Sequence, residues 1–570
     1  MSKSHPLYLG LLTVFAANTG WASRSAGGPS SASAGIVEQQ IQQEFNVKGL
    51  PSDKPMPLLE IDIPENQLHL PEGISAYIDH IYLDNTTLLS KEELNKTIYP
   101  YLHKELTGQD VITLCKELDC LYAKKGYILA WVYPPVQIIE NNTLHLEVLE
   151  GYLSEVQIIG NISYKTSFFE KHLSSLQGKP LNYNDLMKAL LLINENLDCT
   201  AEAILKKGKE LGSVDLILQI QDKFPASMNL GYNNWGSNVL TYNQLSSELQ
   251  VGNLLTSGDR FTLMTSVGAP AVMYYFNPVY SVPLNGSGTR CDLSYLFTHS
   301  YIQEFKPLDL ACWSELASIS FTCPLFRTRT FSFDVATRFS IKQYKNFIFN
   351  QTASYDKLRV ATLGVNLECQ DPFQGRNFIN ASVNGGIPYI FNGSAPIDPD
   401  CSRLGAGGRY FILNIGYQRV QSLPFDGSLL FTALSQGTFN KIPLSEQITI
   451  GGVGSVRGYP AAVISGDIGY YTNTEWYMPV PGIKDKISPF GKKKWKDTLQ
   501  FLTFVDHGGV YTNDPVPSEN SPTYLTSAGV GLRFYGPRGF DVSFDVAFPL
   551  TKPEKQFNSF LYLRVIMQLF

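Results

Sequence analysis

"RTFSFDVATRFSIKQY", Arg329 to Tyr344, carries two chemistries in strict alternation. Phe331, Phe333, Val335, Phe339 and Ile341 occupy one phase, and Thr330, Ser332, Asp334, Arg338, Ser340 and Lys342 the other. Successive side chains of a strand point to opposite faces, so this stretch has one apolar face and one face bearing bare charges. "GFDVSFDVAFPL" repeats the pattern, with Phe540, Val542, Phe544, Val546 and Phe548 set against Asp541, Ser543 and Asp545. "DRFTLMTSVG" and "TLGVNLECQ" repeat it more weakly. A strand of this kind suits lipid on one side and water on the other. In a soluble sandwich the apolar face of each sheet meets a second sheet, and the strands are usually shorter. Backbone groups in lipid must all be paired, so strands that cross a membrane have to close into a barrel.

The alternation begins near Phe224 and runs to the end of the chain. At about 20 to 22 residues per strand with its connection, residues 224–570 hold on the order of 16 antiparallel strands. The last segment, "NSFLYLRVIMQLF", puts Leu561, Leu563, Val565, Met567 and Leu569 in the lipid phase. Phe570 is an aromatic terminus of the sort outer-membrane barrels present, although Gln568 departs from the usual apolar choice.

The rest of the composition narrows the function. The chain has 570 residues, 17% of them charged, and a formal charge of −6. That balance argues against a binder of nucleic acid held by phosphate contacts, and no base-reading motif is present. Mean hydropathy is −0.07, too polar for a bundle of membrane helices. "MSKSHPLYLGLLTVFAANTGWASRS" reads as a secretory signal peptide over residues 1–22. Lys3 is its basic end, Leu7 to Ala17 its apolar run, and Gly20-Trp21-Ala22 its cleavage site. The eight cysteines include no CxxC or Cys/His spacing, and small buried hydrophobes account for them better than disulfides. No Walker A, HExxH or GxSxG motif occurs, and "GVGSVR" lacks the last glycine of a dinucleotide fingerprint. No active site, cofactor or metal is expected.

Between signal and barrel lie a linker, residues 23–73, and one pattern written twice. In the linker, Ile36, Val37, Ile41 and Phe45 recur at helical spacing, which predicts a short helix over 36–45. "LPSDKPMPLLEIDIPEN" after it is too rich in proline to be helical. Residues 74–151 read strand ("AYIDHIYLD"), helix ("KEELNKTIYPYLH"), helix ("GQDVITLCKELDCLYAKKG"), then strands "YILAWVYPP" and "TLHLEVLEG". Val111, Leu114, Leu118, Leu121 and Tyr122 fall along one face of the second helix. Residues 152–223 repeat the order with "LSEVQIIGN", "TSFFEKHLSSL", "NYNDLMKALLLINENL", "TAEAILKKG" and "SVDLILQIQD". Two small α/β domains in tandem are expected, each with an open sheet edge.

Two further stretches give the ordering its specificity: "VRGY", Val456 to Tyr459, inside the glycine-rich "GGVGSVRGYP", and "FVDHG", Phe504 to Gly508. With these motifs the chain resembles the two-partner secretion outer-membrane transporters of the haemolysin and filamentous-haemagglutinin exporter type. That family belongs to the outer-membrane assembly-factor superfamily. The resemblance implies an N-terminal helix and linker, two POTRA domains in the periplasm and a 16-stranded barrel in the outer membrane. It implies that Arg457 sits at the tip of a loop folded back into the barrel and faces Asp506 on the wall. Gly451, Gly452, Gly454 and Gly458 would let the hairpin re-enter. Arginine suits this place because its fork can grip a carboxylate through two parallel bonds, each charge-assisted bond being worth roughly 1.5–3 kcal/mol. Val456, Gly458 and Tyr459 complete the loop motif, and Phe504 and Gly508 the wall. Glu475, in "NTEWYMPV", shares a polar phase with Asn473 and is a candidate member of the same network, the alternative being plain lumen lining.

The expected function is export of an unfolded partner, a large β-helical haemolysin or adhesin, from the periplasm to the cell surface. An exposed POTRA edge among "YILAWVYPP" and "AEAILKKG" would capture it as an added strand. The loop carrying Arg457 would gate the lumen, with the helix at 36–45 a second candidate gate. The competing readings are a barrel-assembly factor of the same superfamily and a passive pore. The first would usually carry more POTRA domains, and the second leaves two periplasmic domains without a purpose.

Overall fold

The computed structural model describes residues 33–35, 39, 57–62, 70 and 73–570, apart from 237–239, 271, 303–308, 492, 516–520 and 552–558. The signal peptide at 1–22 lies outside the described residues, as does the predicted helix at 36–45 except for Gln39.

Sixteen antiparallel strands close into a barrel. The first, Ala226–Asn233, pairs with the last, Phe560–Gln568, in the register Asn229 to Gln568 through Asn233 to Arg564. The period-two pattern sets which face each residue takes. On the seventh strand, Phe331–Ile348, Ala336, Ser340, Lys342 and Tyr344 are buried in the lumen, and Phe331 and Thr337 of the other phase are exposed. On the fifteenth, Asp541–Pro549, Ser543, Asp545 and Ala547 turn inward while Phe548 is exposed. Among the described residues no helix is long and apolar enough to cross a membrane.

At the barrel end where both these strands begin stands the second of two α/β units, and the first precedes it in the chain. In the first, α1 (Lys91–Ile98) and α2 (Gly108–Lys124) open with capping boxes, Ser90 with Glu93 and Thr107 with Asp110. Each box satisfies two amide donors that a bare helix start would leave orphaned. Leu114, Leu118 and Tyr122 are fully buried against a three-stranded sheet, and Leu121 packs at the margin of that core. The predicted strand "AYIDHIYLD" is broken at Asp79 into β2 (Ser75–Ile78) and β3 (His80–Asp84), and β2 pairs with an unforeseen strand β4 (Lys104–Thr107). Of "YILAWVYPP" only β5 (Ala130–Tyr133) forms, because two prolines end it. It pairs with β6 (Thr143–Glu150), which in turn pairs with β3 in parallel.

The second unit follows its predicted order: β7 (Tyr152–Ile159), α3 (Thr166–Leu173), α4 (Tyr183–Asn194), β8 (Cys199–Lys207) and β9 (Ser213–Asp222). Its sheet has a fourth member that the proline-rich linker did not announce. β1 (Leu59–Asp62) lies parallel to β8, so the order is β1-β8-β9-β7. The expected open edge at "AEAILKKG" is therefore covered. β1 has no proline among its four residues, and prolines on either side confine it.

This unit is fastened to the barrel mouth. Arg327 on the sixth strand donates through Nε to Glu195 at the end of α4 (2.9 Å) and through Nη1 to Asp334 (2.6 Å). Arg260 donates to the Glu195 carbonyl, and Lys188 to the carbonyl of Leu325. Asp334, expected only as a member of the water-facing phase, is thus part of the domain joint. All eight cysteines are free, and five are buried.

Candidate functional site

The loop between the eleventh strand (Gly427–Gly437) and the twelfth (Ile468–Pro479) does not stay outside the barrel. Its two short strands, Ile448–Ile450 and Ile464–Gly466, pair only with each other and form a hairpin within the lumen. Gly451, Gly452 and Gly458 hold φ of +122°, +88° and +86°, a region that side chains other than glycine rarely adopt, whereas Gly454 does not use it. Ile448, Ile450, Val456 and Tyr459 pack with Val510 and Leu525 of the wall as a small apolar pad. On the wall, side chains at Gly508 and Gly469 would meet the hairpin, since an added Cβ would lie 3.0 Å from Ile450 Cδ1 at the first and 2.8 Å from Ile448 Cγ2 at the second.

Arg457 lies at the tip of this hairpin and is 3% exposed. Its Nε donates to Asp506 Oδ2 at 2.7 Å, its Nη2 to Asp506 Oδ1 at 2.8 Å, and its own amide to Oδ2 at 3.1 Å. Nη1 reaches Glu475 Oε1 at 2.7 Å and Asp545 Oδ2 at 3.5 Å. The guanidinium carbon sits 3.5 Å from the centroid of the Phe504 ring, in cation–π distance. Phe504 can lie flat there because residue 529 on the next strand is glycine, and any side chain at that point would collide with the ring. Gly458 donates to Tyr562 Oη at 3.0 Å, and Tyr459 Oη lies 2.7 Å from the carbonyls of Thr526 and Thr551.

The strands place these partners by register. Asn473 is paired with Asp506 and Glu475 with Phe504 across the twelfth and thirteenth strands, so all four residues face inward side by side. Asn473 donates to the carbonyl of Ser455, and Tyr477 donates to Glu475 at 2.6 Å. Asp545 was expected only as a member of the polar phase of its strand, and its bidentate partner Arg533 was not anticipated. The signal available was the inward phase of Asp545 within "FDVSFDVAF". Two cations, the buried Arg457 and the half-buried Arg533, thus meet three carboxylates, Asp506, Glu475 and Asp545.

A second polar cluster holds the stem of the hairpin, and nothing in the sequence pointed to it. Lys342 donates to the fully buried Glu446 at 2.7 Å. Arg403, from the loop after the ninth strand (Arg376–Gly386), grips both oxygens of Asp467 at 2.6 and 2.8 Å. Ser402 and Ser445 both donate to Asp356. The N-terminal segment enters the same space: the Ala34 amide donates to Asn346, Ser314 to the Ala34 carbonyl, and Thr449 of the hairpin to Gln39. Among the described residues no group of His, Cys, Asp and Glu side chains is arranged to hold a metal ion.

Comparison with known proteins bears on what such a lumen serves. Residues 212–534 match the family model "Haemolysin secretion/activation protein ShlB/FhaC/HecB", and residues 77–151 match "POTRA domain, ShlB-type". The chain is 24% identical over 481 residues to a heme/hemopexin transporter protein HuxB of Haemophilus influenzae, covering 80% of each. It is 22% identical over 541 residues to the outer membrane transporter CdiB of Dickeya dadantii, covering 91% of this chain and 89% of that one. The solved structure of CdiB from Escherichia coli superposes with a TM-score of 0.78 at 18% identity, over 96% of this chain and 100% of the other.

Proposed function

We propose a transport cycle for this chain, which belongs to the haemolysin secretion/activation protein family ShlB/FhaC/HecB and is an outer-membrane transporter of two-partner secretion. Its POTRA region stands in the periplasm and receives an unfolded exoprotein, the lumen conducts it, and the hairpin at 448–466 is the movable gate. The observation that carries the gate is how that hairpin is held. A seventeenth barrel strand would be welded in by main-chain bonds, but this hairpin pairs with itself. Its tip is held by the side chains of Arg457 and Tyr459 and by single amide bonds from Arg457 and Gly458. Contacts of that kind can break and re-form without opening the barrel.

Val456, Arg457, Gly458 and Tyr459 act as the anchor, and Phe504, Asp506, Gly508 and Glu475 as the wall that receives it. The cargo is a large β-helical haemolysin or adhesin. The chain has no nucleotide site and is not an enzyme, so folding of the emerging partner outside gives the movement its direction. The test is export in cells by the full chain and by a deletion of residues 74–223. The full chain is expected to place the exoprotein in the medium and the deletion to retain it in the periplasm. Full export by the deletion would leave only a simple pore.

A further inference from the structure

The cell-surface end of the barrel's outer wall gathers positive charge at one place. On the seventh strand the outward phase holds no charge from Phe331, near the joint with the second α/β unit, to Ile341. About ten residues, at roughly 3.3 Å each and leaning by roughly 40°, rise about 25 Å, the height of the apolar band. Lys345 lies beyond that band, at headgroup level on the side away from the α/β units. Register brings two more cations beside it. Lys345 is paired with Trp313 on the sixth strand (Ala311–Arg327) and with Tyr355 on the eighth (Gln351–Gln370). Lys357 and Arg359 follow Tyr355 in the same outward phase. The Lys345 ammonium lies 4.7 Å from the centre of the Trp313 ring and 4.6 Å from that of Tyr355, and the Lys357 ammonium lies 5.1 Å from the latter. The Arg359 side chain is buried beneath the turn after the ninth strand, where Nε and Nη2 donate to the Phe391 carbonyl at 3.2 and 2.7 Å.

Among the described residues none of these three cations has a carboxylate in ion-pair distance. Glu315, opposite Gln343 in the outward phase, accepts instead from the Tyr295 hydroxyl at 3.1 Å. Elsewhere at this end the strands turn out Tyr274, Phe411, Tyr470, Tyr511 and Tyr524, the usual aromatic girdle. Below the cations the wall is concave. Tyr295, Ile319, Phe339 and Ile341 wall a groove, with the small Ala317 and Pro278 between them. Pro278 has no amide hydrogen to donate, and the ladder between the fourth strand (Met273–Pro283) and the fifth (Arg290–Tyr301) skips it. The Phe391 ring stands edge-on to Phe339 with centroids 6.1 Å apart, so the turn that covers Arg359 also borders the groove.

We propose that this face binds one acylated, phosphorylated glycolipid of the outer leaflet. A phosphate meets Lys345 and Lys357, Arg359 adds positive charge from beneath, and an acyl chain lies in the groove. Charge drawn out of water without a partner is costly. Cations at a lipid edge that lack a carboxylate of their own therefore take an anion from outside, and the outer leaflet offers phosphates at this level. Both ammoniums lie close to the one Tyr355 ring, near enough for a single headgroup to meet both. A second copy of the chain is the poorer occupant. A two-fold contact sets the same patch against itself, which here would oppose like charges. The site is independent of what the lumen conducts.

The experiment uses the purified full chain in detergent, with bisphosphorylated lipid A as the probe and bound lipid counted by native mass spectrometry. One lipid per chain is expected to stay bound. Lys345→Gln with Lys357→Gln is expected to weaken binding at least about tenfold, because each basic residue near an anionic headgroup adds its own share. Lys345→Arg with Lys357→Arg is expected to keep it. Ala317→Trp fills the groove, leaves the charges in place, and is expected to weaken binding several-fold. Lipid A stripped of its phosphates is expected to bind the wild type as poorly as lipid A binds the glutamine variant. Phosphatidylglycerol and inorganic phosphate are expected to displace the probe only weakly. Equal binding of lipid A by the wild type and the glutamine variant, undiminished binding of the stripped lipid, or ready displacement by phosphatidylglycerol overturns the proposal. So does a lipid-free dimer that Ala317→Trp abolishes, which gives the face to a second copy. Should the glutamine variant not fold, Ala317→Trp and the stripped lipid still decide.

Discussion

The barrel interior and the cores of the two α/β units are equally buried, but the first also buries paired charges where the second buries hydrocarbon. In the lumen the least exposed side chains include Arg457, Asp506, Glu446, Arg403 and Asp467, none above 3%. In the periplasmic units they are Leu114, Leu118, Leu190, Ile193 and Phe169. The cause is what lies outside. A barrel wall turns its apolar phase to lipid, so the phase left for the inside carries charges, which pair there beside apolar pads such as that of Ile450, Val456 and Leu525. An α/β unit faces water outward and keeps its hydrocarbon in. Burial alone therefore says little about chemistry, and the two regions are held by forces that fail in different ways.

The largest effect is expected where charge is buried most deeply. Arg457→Ala leaves Asp506, Glu475 and Asp545 facing one another around a gap. Breaking a buried pair by removing one partner costs roughly 3–5 kcal/mol. The barrel, hydrogen-bonded around its own ring, is expected to remain heat-modifiable on gels while export falls sharply. Exchanging the charges, Arg457→Asp with Asp506→Arg, is expected not to restore export, because the new aspartate would face Glu475 and Asp545. Normal export by either variant would detach the clamp from gating.

Leu190→Ala asks the same of the hydrocarbon core. Leu190 on α4 is fully buried in the second unit, and leucine-to-alanine changes in such cores cost about 2–5 kcal/mol. Limited proteolysis is expected to cut residues 152–223 faster while the barrel stays protected. If the barrel loosened equally, the two regions would not be separately stabilised.

The outer face provides a third contrast. Val546→Arg is expected to cost roughly 2–4 kcal/mol near the bilayer midplane. Phe333→Arg, beside the joint of Asp334 with Arg327 at the barrel mouth, is expected to cost less. Both are read as folding yield in liposomes. Neutral replacement of the inward Asp334 or Asp545 is not as harmless as the alternating pattern suggests, since Arg327 and Arg533 would each lose a carboxylate. An inward Ala336→Ser, with no such partner to lose, is the fair comparison and is expected to be tolerated.

The smallest effect is a pH dependence confined to the first α/β unit. Burial pushes the Asp119 carboxyl up to about 6 from its ordinary 3.8, although the Val132 amide donating to it at 2.8 Å opposes this. The folded unit then holds this proton more tightly than the unfolded chain, so stability rises as pH falls from about 6 towards about 4. Hydrogen exchange in α2 and β5, corrected for intrinsic rates, is expected to be slower at pH 5 than at pH 7.5. Asp119→Asn keeps the acceptor for Val132 and should flatten that difference.

Period-two alternation such as that of Phe331 to Lys342 determined the barrel, because each strand must satisfy lipid and water on opposite faces whatever its neighbours are. Helical spacing in Val111 to Tyr122 and in Leu186 to Ile193 determined the α/β units for the same local reason. The meeting of Arg457 with Asp506 was legible only through two short motifs. The further partners Asp545, Arg533, Tyr562 and the stem cluster of Arg403, Asp467, Lys342 and Glu446 were not, because closure of the barrel brings these partners together across as many as 104 positions. The same holds for β1: Leu59 to Asp62 sit among prolines and have no alternation long enough to read. They become a strand only because β8 presents unpaired main-chain groups at that edge, which is a property of the folded sheet and of no stretch of sequence by itself.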